Sequence, residues 1–149
     1  MTKIDTVLLT GKTHTTPSAR GGDRLDIALS VPGSASAGLA LDGAQMHPTA
    51  EQLFAGAWSA CYTGALGLVA QSRKVKLPAD LAVDIEVDLG KTGAAYFIQA
   101  RIAVTMPGVA HDVARSIADA AHGVCPYSKA VHGNIDVVTS VVETDVVAA

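Results

Sequence analysis

Positive charge, aromatic side chains and cysteine are all scarce in this 149-residue chain, and each scarcity excludes something. Eleven Lys and Arg face fourteen Asp and Glu, for a formal charge of -3. The basic residues are scattered, so no field suited to a phosphate backbone exists and nucleic acid is excluded as a partner. No apolar run approaches the roughly 20 residues of a spanning helix, and MTKIDTVLLT lacks the charged-then-apolar order of a signal segment. The expectation is a cytoplasmic protein with no membrane contact. The two cysteines, Cys61 and Cys125, form no CxxC and have no His or Cys partner at ligand spacing, which argues against a zinc site. With no internal repeat, linker or shift of composition, residues 1–149 read as one domain.

The chain is organised around residues 47–69, HPTAEQLFAGAWSACYTGALGLV. Apolar residues recur at Leu53, Phe54, Ala57, Trp58, Cys61, Ala65 and Leu68, the spacing of a helix with one buried face. Thr49 and Gln52 stand where a capping box would start it. Small residues, including Gly56 and Gly64, fill the other positions and let another backbone come close. Before this helix, residues 4–14 and 24–31 read as an antiparallel hairpin whose connection holds Arg20, and residues 32–48 as a long loop. After it, Leu81 to Leu89 and Tyr96 to Met106 alternate as two long strands around a turn at residues 90–93. A second amphipathic helix from Val113 ends near Cys125-Pro126, and Ile135 to Val142 form a last strand. The order β-β-α-β-β-α-β, with mainly antiparallel pairing, is that of an α+β fold whose sheet wraps two central helices.

Two readings of the cysteines stay open on residues alone: buried structural thiols, or a nucleophilic thiolate with a resolving partner. Cys61 lies about three turns into its helix, beyond the reach of the N-terminal dipole, so an activated Cys61 needs positive charge from elsewhere. Arg20, beside two glycines, is a candidate for it. Glu51, in the first helical turn, is favoured there by the dipole, but ten residues from Cys61 put it about 15 Å away along an unbroken helix. The two serve one site only if the helix breaks or two subunits contribute. The five histidines, with Ser128, Asn134 and Asp136, read as surface, turn or capping groups. Phe54, Trp58, Tyr62, Phe97 and Tyr127 are either ordinary core or the walls of an apolar substrate site.

The segments PTAEQLFAGAWSACYTGAL (48–66) and VCPYSKAVHGNIDV (124–137), with VKLPAD (75–80) and DRLDIALSVP (23–32), resemble the organic hydroperoxide resistance branch of the Ohr/OsmC family. The resemblance covers nearly the whole chain. It implies a thiol-dependent peroxidase acting on organic hydroperoxides, with Cys61 as peroxidatic and Cys125 as resolving cysteine, joined in a disulfide after each turnover. It implies that Glu51 holds an arginine against the thiolate, and Arg20 matches that arginine by its distance from the first strand. Arg24, in the DRLD segment, is the alternative, because the connection PSARGGDRLD is shorter than in the family. Also implied are an intertwined homodimer, a dihydrolipoyl group on a partner protein as reductant, and no cofactor or metal. The competing reading is a redox sensor or hydrophobic-ligand binder on the same scaffold.

Overall fold

The computed structural model describes residues 3–30 and 48–144. The elements are β1 (Thr6–Pro17), β2 (Leu25–Leu29), α1 (Ala50–Ser72), β3 (Ala82–Thr92), β4 (Ala95–Thr105), α2 (His111–Val124), α3 (Pro126–Val131) and β5 (Val137–Val141). The long loop expected over 32–48 lies almost wholly outside the described residues. The strands form one sheet in the order β2-β1-β3-β4-β5. Its first three pairings are antiparallel and β4–β5 is parallel. Both expected hairpins form, with Thr13 opposite Leu29 in one and Thr92 opposite Ala95 in the other.

One face of the sheet is apolar and the other polar, as period-2 alternation requires. Val83, Ile85 and Val87 of β3 and Ala100, Ile102 and Val104 of β4 join Trp58, Tyr62, Leu66, Ile117 and Ala121 of the helices in a single core. Full burial of an apolar side chain contributes about 1.5–3 kcal/mol, so this cluster carries most of the fold's stability. On the opposite face Arg101 holds both carboxylate oxygens of Asp88, at 2.6 and 2.9 Å, and Glu86 at 2.9 Å. Thr10 and Gln99 also donate to Asp88, and Lys12 pairs with Glu86. Burial alone would raise the Asp88 carboxyl, but the bonds from Arg101, Gln99 and Thr10 outweigh it and hold it below its usual range.

The capping box forms as expected: the Thr49 hydroxyl accepts from the Gln52 amide, and the Gln52 side chain accepts from Thr49 N–H. Gln52 then reaches Ser30 at the end of β2, tying the helix start to the sheet edge. The buried face of α1 agrees only in part with the expected one. Trp58 and Ala65 are buried, with Phe54 and Cys61 partly so, but Leu53 and Leu68 are 57% and 59% exposed, whereas Tyr62 and Leu66 are fully buried. The helix is apolar all round, so periodicity could not say which side the sheet would cover. At 23 residues α1 is also long and apolar enough to cross a bilayer by composition, contrary to the sequence expectation. Its packing against β1, β3 and α2 makes it the core helix instead.

Candidate active site

The two cysteines meet where α1 passes the start of α3. Cys61 Sγ and Cys125 Sγ are 2.9 Å apart, closer than van der Waals contact, and both are free thiols. Cys125 is fully buried and Cys61 half-buried. Cys125 itself caps α3, its sulfur accepting from Ser128 N–H at 3.5 Å. Pro126 at the first helical position costs no hydrogen bond, since that amide would be unpaired in any case. Burial first, then the neighbouring Cys125 sulfur, pushes the Cys61 thiol up, while the Tyr127 backbone opposes the rise. In one chain by itself, Cys61 is therefore a thiol at neutral pH.

α3 was not expected from the sequence, where CPYSKAV read as the end of one helix and a turn. A six-residue helix shows too little periodicity to be seen, although Cys-Pro is a legible start signal. Also unexpected is the group behind the thiols. Ser128 is buried, its hydroxyl accepting from Trp58 Nε1 at 2.9 Å and lying 3.0 Å from His122 Nδ1. His122 Nε2 lies 2.7 Å from Thr139 Oγ1 on β5, and its ring leans on Tyr62 with centroids 4.9 Å apart. Burial lowers the His122 pKa, so the imidazole is neutral. Ser128 is thus buried and His122 half-buried, rather than the turn and surface residues the sequence suggested. A cavity of about 480 Å³ opens against them, bounded also by Lys129, His132, Ile135 and Val137.

The other candidate residues do not join the thiols within one chain. α1 is continuous, so Glu51 stays at its far end, half-buried, with its Cβ over Gly11 of β1. Arg20 and Arg24 are exposed in the β1–β2 connection, where Gly21 and Gly22 take the left-handed conformation. Tyr62 belongs to the core, its OH bonded to the Ala118 carbonyl, whereas Trp58 is both buried in the core and part of the wall of that cavity. Phe54 packs edge-on against Trp58, and Tyr127 is 44% exposed beside the thiols.

Comparisons with known proteins place the chain in a family. The OsmC-like protein family model matches residues 42–140, a span holding both cysteines. An uncharacterised protein of Acinetobacter baylyi is 40% identical over 113 residues, covering 76% of this chain and 75% of that one. The organic hydroperoxide resistance protein of Xanthomonas axonopodis is 40% identical over 87 residues, 58% of this chain and 61% of the relative. Among solved structures, the organic hydroperoxide resistance protein OhrB of Bacillus subtilis superposes with a TM-score of 0.62 at 30% identity, covering 86% of this chain and 97% of the other.

Proposed function

The chain belongs to the OsmC-like family, in the branch of the organic hydroperoxide resistance proteins, and on that premise we propose that it is a thiol peroxidase reducing organic hydroperoxides to alcohols. The observation that carries this reading is the 2.9 Å approach of Cys61 and Cys125 at the start of α3. The half-buried Cys61 is the one a substrate can reach. Its thiolate attacks the distal peroxide oxygen, the O–O bond breaks, the alkoxide leaves as the alcohol after taking a proton, and Cys61 becomes a sulfenic acid. Cys125 sulfur then displaces hydroxide from the Cys61 sulfur. A disulfide forms and water leaves with the Cys125 proton. A dithiol, the dihydrolipoyl group of a partner protein, reduces the disulfide by two exchanges.

The first step needs a thiolate, and burial disfavours one. A guanidinium against the sulfur reverses that. Arg20 is the residue assigned to this task and Glu51 the carboxylate that orients it. Because α1 is unbroken, Glu51 and Cys61 of one chain cannot share a site. The site is therefore completed by a second copy in a homodimer, consistent with the exposed apolar side of α1 at Leu53 and Leu68. No metal or dissociable cofactor enters the cycle, and the cytoplasm, which keeps thiols reduced, suits it.

The test is steady-state consumption of cumene hydroperoxide with dihydrolipoamide by a protein sedimenting at twice the chain mass. Turnover should vanish in Cys61→Ser and stall after one cycle in Cys125→Ser. The exposed position of Arg20 in the single chain favours the alternative, a redox sensor. That reading predicts one disulfide per chain and then no further consumption, an outcome that would sink the enzyme.

A further inference from the structure

We propose that Ser128 is a positioning residue for the resolving cysteine, held by His122 and Trp58, and that it sets the rate of disulfide formation without touching the peroxide step. The inference rests on the peroxidase reading and extends it to a residue with no reacting atom. Ser128 makes one contact with the cap of its own helix and one each with α1 and α2. Its N–H meets Cys125 Sγ, its hydroxyl accepts from Trp58 Nε1–H, and the same hydroxyl faces His122 Nδ1.

Trp58 Nε1 can only donate, so the Ser128 oxygen is its acceptor. The remaining lone pair and the proton of that hydroxyl serve His122 Nδ1 at 3.0 Å, and His122 Nε2 pairs with Thr139 Oγ1 at 2.7 Å. The chain of bonds runs from α1 through α3 and α2 to β5.

Its position explains what it does. Trp58 precedes Cys61 by three residues on α1, and Ser128 follows Cys125 by three on α3. One hydroxyl therefore joins the two helices a single turn away from the two sulfurs. In condensation the Cys125 sulfur must close from 2.9 Å to bonding distance, about 2.05 Å, along the line of the departing hydroxide. A loss of alignment near 1 Å can cost about 10²-fold in such a step. Reaction of Cys61 with peroxide forms no bond to any atom of α3.

The full-length reduced protein is mixed with one equivalent of cumene hydroperoxide. Peroxide loss gives the rate of Cys61 oxidation, and decay of dimedone-trappable sulfenic acid gives the rate of condensation. Ser128→Ala should leave oxidation within about twofold of wild type while condensation slows roughly 10- to 100-fold. His122→Leu, which removes the hydrogen-bonding partner, should behave the same way. His122→Asn, which returns a polar partner near the place of Nδ1, should restore most of the condensation rate. This His122 pair keeps the inference testable if Ser128→Ala folds poorly. Wild-type condensation in Ser128→Ala and His122→Leu, or equal slowing in His122→Asn and His122→Leu, overturns the positioning role while leaving the peroxidase standing. A wild-type protein that consumes no peroxide overturns both.

Discussion

At the scale of the residue, the chemistry of Cys61 is a contest between burial and charge. The fold of one chain raises the thiol pKa, and a fixed cation has to bring it down before the sulfur is nucleophilic at neutral pH. The sign gives a direct test. In a Cys125→Ser background, the pH midpoint of Cys61 alkylation by iodoacetamide should move upward by about one unit or more in Arg20→Ala, since an adjacent opposite charge shifts a pKa by about 1–3 units. Arg24→Ala should leave the midpoint in place. The reverse pattern would assign the role to Arg24. Substitution of His122 cannot mimic this effect, because a neutral imidazole supplies no charge to the sulfur.

At the scale of the element, α1 holds its place because β1 leaves room for it. A Cβ built on Gly11 would stand 2.5 Å from the Gln52 backbone nitrogen and 2.9 Å from Glu51 Cβ. Backbone cannot yield as a flexible side chain can. Gly11→Ala should therefore cost about 1–3 kcal/mol, read as a fall of several degrees in Tm. It should also tilt the first turn of α1, where Glu51 sits, and reduce turnover more than its stability loss explains. A Tm equal to wild type would mean that the helix start is not seated on β1. The signals for this element were local and legible, Thr49 and Gln52 closing the box by their own side chains. For α3 only the start, Cys125-Pro126, is legible: its six residues are held to α1 through Ser128 and Trp58, 70 positions apart.

At the scale of the whole molecule, the polar face of the sheet makes stability depend on acid. Burial pulls Asp88 and Glu86 upward, but Arg101 with Gln99 and Thr10 at the first, and Lys12 and Arg101 at the second, leave both carboxyls below their usual range. A depressed folded-state pKa means stability that is complete above the unfolded value, about 3.9–4.3, and is lost as pH falls through the folded one. Urea midpoints should be flat on this account above pH 5 and fall steeply below pH 4. In Arg101→Met that acid-sensitive part should shrink. An unchanged acid limb in the variant would show that the ladder contributes nothing. Neutral His122 adds a smaller loss beginning near the ordinary histidine pKa of about 6.5, because unfolding lets it take a proton that the interior refuses.

By itself the sequence determined the element types and most of their bounds, because alternation in β3 and β4, the capping box and the turn glycines are written in neighbouring residues. It also determined which side chains could do chemistry, two thiols in a chain with few other reactive groups. Only the tertiary structure decided which face of α1 the sheet covers, since a helix apolar on all sides offers two equal solutions until β1 and α2 choose one. Only it brought Cys61 to Cys125 and placed Trp58, Ser128 and His122 behind them. The Cys61–Cys125 and Trp58–Ser128 contacts span 64 and 70 positions of chain, and no local pattern records a meeting that depends on where whole elements pack.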